Sequence, residues 1–204
     1  MRLGPELPPS MRQRLDGAGD LRIAALGDSL TDGWMVSRGY FSRACDALEL
    51  RTPSLRLERL HAGVPGDTAF GGRGRLPALL LEQPALVLVQ FGLNDCFSGE
   101  RVDVYQRNLE RIVDAVRAAG AVPVLVTSCP LESASAMGQA LPFYTAMREL
   151  GALRDVLVAD TNAAWLAAQA SAEVPAQLWQ PDGVHPTDRG HALMARGLVA
   201  ALIA

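Results

Sequence analysis

Leu21-Arg22-Ile23-Ala24-Ala25-Leu26, followed at once by Gly27-Asp28-Ser29-Leu30, decides how this chain is read. A largely apolar run of strand length stops abruptly in a turn-forming Gly-Asp-Ser. A strand that ends this way leaves one serine hydroxyl at the edge of its sheet, where a substrate can reach it. Most serines in such turns are solvated or cap a helix. The rest of the chain therefore has to show why Ser29 should be more than that.

Four more runs rich in Val, Ile and Leu follow, at 54–60, 85–91, 122–128 and 155–160, so that with 21–27 there are five strands. Leu86-Val87-Leu88-Val89 is continuous in apolar residues, the pattern of a strand covered on both faces. Helices fall between the strands. In 102–119, Tyr105, Leu109, Ile112, Val113 and Val116 recur at helical spacing, Arg107, Glu110, Arg111 and Asp114 take the other face, and Gly120 closes the helix. Segments 39–50, 73–82, 140–153 and 187–203 are further helices, the last capped by Thr187 or Asp188. Strand–helix alternation implies right-handed crossovers and an α/β fold, a parallel sheet between two helical layers. No repeat or linker divides the chain. Residues 1–20 read as a loosely attached N-terminal arm and 21–204 as one domain. Two connections stand out: 129–139, rich in Ser, Pro and Gly, and the long 161–186. A long connection in a compact domain carries function or is disordered, and the helix-like stretch around Trp165 favours function.

Composition narrows the function. With 49% hydrophobic residues over 204 positions the chain can bury a sizeable core. A net charge of −3 argues against a nucleic-acid partner. No apolar run spans a bilayer, so no stable membrane association is expected. Residues 1–20 lack the apolar segment of a secretory signal, although a signal trimmed before this sequence begins would leave the same reading. Cys45, Cys96 and Cys129 are odd in number and lack metal-ligand spacing, which suggests reduced thiols and a cytoplasmic location. The chain has no lysine, so Schiff-base chemistry and a Walker-type phosphate loop are excluded. No cofactor and no metal is expected.

Ligands of an open parallel sheet gather beyond the carboxyl ends of its strands. Four polar clusters fall there: Ser29 after the first strand, Gly66 after the second, Asn94 after the third, and Asp182 with His185 after the fifth. A serine hydroxyl needs a base, and histidine is the natural one near neutral pH. Asp182, three residues before His185, can hold the other ring nitrogen and fix its tautomer. Attack on a carbonyl creates an oxyanion, for which the N–H groups of Ser29 and Gly66 and the Asn94 amide can supply three donors. A glycine at 66 lets the backbone approach without a Cβ in the way.

These blocks, Gly27-Asp28-Ser29-Leu30, Pro65-Gly66-Asp67, Gly92-x-Asn94-Asp95 and Asp182-x-x-His185-Pro186, resemble those of the SGNH/GDSL hydrolase family, in order and over residues 27–186. The resemblance implies a flavodoxin-like three-layer α/β/α sandwich and ester or thioester hydrolysis. It implies Ser29 as nucleophile, Asp182 and His185 as its partners, and Ser29, Gly66 and Asn94 as the oxyanion hole. One position departs: the Asn that often opens the glycine block is His61 here, expected to make local hydrogen bonds behind the oxyanion loop.

The expected activity is that of a serine ester hydrolase acting through an acyl-enzyme on a small-molecule ester or thioester. The lack of a large inserted lid points to short or medium acyl groups. Short-chain esters, acetylated sugars, lysophospholipids and acyl-CoA thioesters all fit, and the sequence does not choose an oligomeric state. The alternatives are a metal-dependent phosphoesterase, for which three histidines without a His-x-His pair give poor support, and a non-catalytic flavodoxin-like binding module. Asp28 is expected to stabilise the turn and Asp95 to cap one. His191 is assigned to a helix face, Arg73 and Arg75 to solvent, and Cys96 to no base. Trp34 and Met35 fit an acyl pocket as well as a core.

Overall fold

The structure of the protein, a computed structural model, describes residues 2–3, 5–171 and 177–203. In chain order the elements are β1 (Arg2–Leu3), α1 (Pro9–Asp16), β2 (Gly19–Gly27), α2 (Ser29–Asp32), α3 (Tyr40–Arg51) and β3 (Leu55–Gly63). Then come α4 (Ala69–Leu81), β4 (Leu86–Gln90), α5 (Leu93–Phe97), α6 (Val102–Ala118) and β5 (Val122–Val126). The chain finishes with α7 (Ala134–Arg154), β6 (Leu157–Ala159), α8 (Thr161–Ala170) and α9 (Asp188–Ile203).

Five strands are parallel, as their apolar runs predict, and they lie in the order β6-β5-β4-β2-β3. Counted by themselves in chain order this is 2-1-3-4-5, the flavodoxin-like arrangement, with its switch point between the first and third parallel strands. β2 and β4 flank that point, and the serine turn leaves the end of β2. The register pairs Gly27 with Gln90 on one side and with Gly63 on the other. The three loops that follow β2, β3 and β4 therefore start level with one another. Every residue of β4 is buried, because helices cover both faces of the sheet. α3, α8 and α9 pack together on one face, and α4, α6 and α7 on the other. α6 buries Tyr105, Leu109, Ile112, Val113 and Val116, the face read from its periodicity. Gly120 takes φ +78° just past its end, where a side chain would be strained.

The structure departs from the sequence reading most clearly in two stretches of chain. The described residues of the 1–20 segment are not a loose arm. Arg2–Leu3 adds a sixth, antiparallel strand beside β6, and Leu7, Met11 and Leu15 are buried. These three recur every four residues, which is helical spacing on one face. The connection 129–139 is largely helix, because α7 starts at Ala134 with the Ser133 hydroxyl accepting from the Ala136 N–H. Among the described residues no helix is long and apolar enough to cross a membrane.

Candidate active site

The site is built from the nucleophile turn upward. Asp28 caps α2, its Oδ1 accepting the Leu30 N–H at 2.9 Å, and this sets Ser29 as the first residue of the helix. Gly27 has no room for a side chain: a Cβ there would stand 2.1 Å from the Thr31 hydroxyl and 2.7 Å from the Gln90 carbonyl. Beneath the turn, the fully buried Gln90 amide donates to Asp28 Oδ2 at 3.2 Å and to the Ser128 hydroxyl at 2.9 Å, and it accepts from the Thr31 hydroxyl at 2.8 Å. Burial pushes the Asp28 carboxyl up to about 7, against the lowering effect of its hydrogen bonds to Leu30 and Gln90. Asp28 thus serves the turn, as its position suggests, and leaves the hydroxyl of Ser29 to face outward.

That hydroxyl lies 2.9 Å from His185 Nε2, and His185 Nδ1 lies 2.6 Å from Asp182 Oδ2. The carboxylate can only accept, so Nδ1 carries the hydrogen and Nε2 is free to accept from Ser29. The other oxygen of Asp182 accepts the N–H groups of Val184 and His185, each at 2.9 Å. Burial acts to raise the Asp182 pKa, but these hydrogen bonds outweigh it and hold the carboxyl below its usual range. The turn is closed by Gly183 at φ +68° and braced from outside, where Glu132 N–H donates to the Gly183 carbonyl at 3.0 Å.

A cavity of about 240 Å³ opens over this line of groups. Ser29, Asn94, Asp182 and His185 line it together with the apolar Leu30, Leu93, Phe97 and Val184. One N–H of the Asn94 amide is held by the Asp67 carbonyl at 2.9 Å. Gly66 is not among the lining residues; it sits one position before Asp67 on the neighbouring loop. Its φ is +79° and no atom lies within 4 Å of where its Cβ would be. A glycine is needed there for its backbone conformation rather than for space. Asp95, fully buried, accepts the Ala69 N–H at 3.1 Å and so caps α4, which is the structural role expected of it. Burial raises its carboxyl to about 6.

Other candidates stand apart. His61 does not lie behind the oxyanion loop. It points from the edge strand β3 to the Ser42 hydroxyl, 3.4 Å away, and packs edge-on against Phe41. His191 is buried and accepts the Tyr40 N–H at 3.1 Å, which ties α9 to the start of α3. Burial, with Arg43 nearby, lowers it to about 4. Trp34 and Met35 are exposed rather than core, and neither lines the Ser29 cavity. Arg73 lies over the Phe70 ring and bonds Asn108. Burial raises the Cys96 thiol, which makes it a poor thiolate, and Cys96 does not line the Ser29 cavity. Among the described residues no group of three or more His, Cys, Asp or Glu side chains is placed to hold a metal ion. Arg75 is also misplaced by the sequence reading. Instead of facing solvent it bonds three groups around the site, and the Gly-rich context in which it occurs gave no sign of this.

Residues 25–193 match the family model described as GDSL-like Lipase/Acylhydrolase family. The chain belongs to that family. Its GDSL-like sequence is 34% identical over 122 residues to "Esterase TesA" of Pseudomonas aeruginosa, covering 56% of this chain and 53% of that protein. It is 38% identical over 105 residues to "Thioesterase 1/protease 1/lysophospholipase L1" of Escherichia coli, covering 51% of this chain and 49% of that one. The matched region thus spans about half the length of these curated relatives. The fold is shared more widely. The acetylxylan esterase Axe2 of Geobacillus stearothermophilus superposes with a TM-score of 0.79 at 19% identity, over 91% of this chain and 95% of that one. A structure of TesA gives 0.73 at 23% identity, over 89% and 97%.

Proposed function

We propose that this GDSL-family protein is a serine hydrolase that cleaves carboxylic esters or thioesters of short to medium acyl groups through an acyl-enzyme. The observation that carries this reading is the continuous line from Ser29 Oγ to His185 Nε2 at 2.9 Å and from His185 Nδ1 to Asp182 at 2.6 Å. As Oγ attacks the carbonyl carbon, Nε2 takes its proton. Asp182 then steadies the imidazolium through the hydrogen bond it already makes. The oxyanion is received by the N–H groups of Ser29 and Gly66 and by the free N–H of Asn94. His185 returns the proton to the leaving alcohol or thiol, and water, activated by the same nitrogen, releases the acid.

The names of the relatives support the reading: esterase, thioesterase, lysophospholipase and, in Vibrio mimicus, "Arylesterase". Catalytic mutants of Axe2 replace a serine, an aspartate and a histidine, the last two separated by three positions as Asp182 and His185 are. A cavity of about 240 Å³ suits a short or medium acyl chain, with Leu93, Phe97 and Val184 as its apolar wall. We place the hydrolase domain at 21–204, with Leu7, Met11 and Leu15 of the preceding segment packed onto it. The enzyme needs no cofactor, and its partner is a small ester rather than a nucleic acid or a membrane. Cys45, Cys96 and Cys129 are all free, which supports a cytoplasmic location.

The test is hydrolysis of p-nitrophenyl esters of graded chain length by wild type and Ser29→Ala. Turnover that prefers short or medium chains and disappears in a folded Ser29→Ala protein is expected. A Ser29→Ala protein as active as wild type would overturn the proposal.

A further inference from the structure

Arg75 projects from α4 into the ends of two strands and the loop between β3 and α4. Its Nη1 donates to the Ala62 carbonyl at 3.0 Å and its Nη2 to the Gly27 carbonyl at 3.3 Å. Nε and Nη2 grip Asp67 Oδ2 at 2.9 and 2.5 Å. The other oxygen of Asp67 accepts the Thr68 N–H at 2.9 Å. Room for this carboxylate exists only because residue 71 is glycine, where a Cβ would stand 1.9 Å from Asp67 Oδ1. The Gly71-Gly72-Arg73-Gly74 run, which superficially suggests a phosphate loop, is in part the space that this ion pair occupies.

The pair is connected to both side donors of the site. Asp67 is the residue after Gly66, and its carbonyl holds one N–H of Asn94 at 2.9 Å. With one N–H committed, the amide plane of Asn94 is fixed and its second N–H is the one left for the cavity. The Gly27 carbonyl that Arg75 bonds also accepts the Val64 N–H at 3.0 Å. One guanidinium therefore ties the strand end that carries Ser29 to the loop that carries Gly66. His61, on the same stretch of chain, makes its contacts elsewhere.

We infer that Arg75, acting through Asp67, is the positioning residue that sets the Gly66 N–H and the Asn94 amide against Ser29. The inference rests on the hydrolase reading above. A planar fork with fixed donors suits this task, because it bonds a carboxylate and two carbonyls without choosing among rotamers. The oxyanion exists only after attack, so misplacing its donors slows turnover and leaves substrate binding nearly unchanged.

The experiment compares wild type, Arg75→Met, Arg75→Lys, Asn94→Ala, the Arg75→Met/Asn94→Ala double variant and the control Arg73→Met on a short p-nitrophenyl ester. Arg75→Met should lower kcat by about 10- to 100-fold, with KM within about twofold of wild type. Arg75→Lys should recover part of the loss, and Arg73→Met should stay within about twofold. The double variant should lose less than the product of the two single losses, because both act through Asn94. A folded Arg75→Met enzyme with wild-type kcat, or losses that simply multiply, would overturn the inference. Should Arg75→Met lose its cooperative thermal transition, Arg75→Lys decides, and wild-type kcat in that variant is equally fatal. Wild-type protein without Ser29-dependent turnover would instead count against the hydrolase reading itself.

Discussion

Replacing Asp182 by asparagine separates the orienting role proposed for this residue from its role in shaping the loop. An asparagine oxygen can still accept the Val184 and His185 N–H groups, now held at 2.9 Å, so the turn should survive. The atom facing His185 Nδ1, now a carboxylate oxygen at 2.6 Å, becomes an NH2 donor. Nδ1 must then accept, the ring proton moves to Nε2, and Nε2 can no longer take a proton from Ser29. Where the aspartate of such a triad is buried, this tautomer error costs about 10⁴ in kcat. The Asp182 side chain is 44% exposed, so water can solvate the ring edge and soften the preference. The expected loss is about 10²- to 10³-fold in kcat, a barrier increase of about 3–4 kcal/mol. Steady-state hydrolysis of a short p-nitrophenyl ester measures it, alongside thermal unfolding to show that the variant is folded. A folded Asp182→Asn protein within about threefold of wild-type kcat would refute the orientation argument.

Three other outcomes follow from the same structure. Asn94→Ala should lower kcat by about 10²–10³-fold, at a nearly constant KM, if Asn94 is the oxyanion donor proposed above; unchanged kcat would assign the oxyanion elsewhere. Gly27→Ala should destabilise by about 1–3 kcal/mol, as its Cβ would meet Thr31 and a backbone carbonyl; an unshifted thermal transition would contradict this. His191 is lowered to about 4 by burial, whereas an unfolded histidine titrates near 6.5, so between these values the unfolded chain binds the proton first. Stability is then lost as pH falls from about 6.5 to 4, by up to about 3 kcal/mol. Asp28 and Asp95, raised by burial, contribute with the opposite sign. The wild-type advantage over His191→Asn, in which they cancel, should shrink across that window in urea unfolding, and a constant advantage would contradict the reading.

The five parallel strands were legible because they are buried on both faces and so nearly free of polar residues. β1 was not, as two residues carry no period, and α1 hid its Leu7, Met11 and Leu15 stripe among arginines and prolines. α2 and α5 are too short to show a helical period, and they surface in the sequence only as the Gly-Asp-Ser and Asn-Asp turns. The start of α7 was masked by small residues that read as a loop until Ser133 is seen capping it. In the site, Ser29, Asp182 and His185 could be read from local chain because an Asp three residues before a His on one turn can reach its ring. Asn94 was legible by type, but not its tether to Asp67, which depends on how two loops meet. Gly66 was read as a close approach, whereas its positive φ is the reason for glycine. Arg75 was invisible for the same cause as the tether: an arginine in a Gly-rich helix start looks solvated until the strand ends it bonds are in place.

The chemistry proposed for this site turns on Ser29 being the activated nucleophile. The most direct measurement is the site of covalent modification by a fluorophosphonate, followed by cleavage at arginine and sequencing of the fragment 23–38, which holds both Ser29 and Ser37. One adduct per chain is expected, located on Ser29 and absent from a folded Ser29→Ala protein. An unlabelled wild-type chain, or an adduct on any other residue, would contradict it.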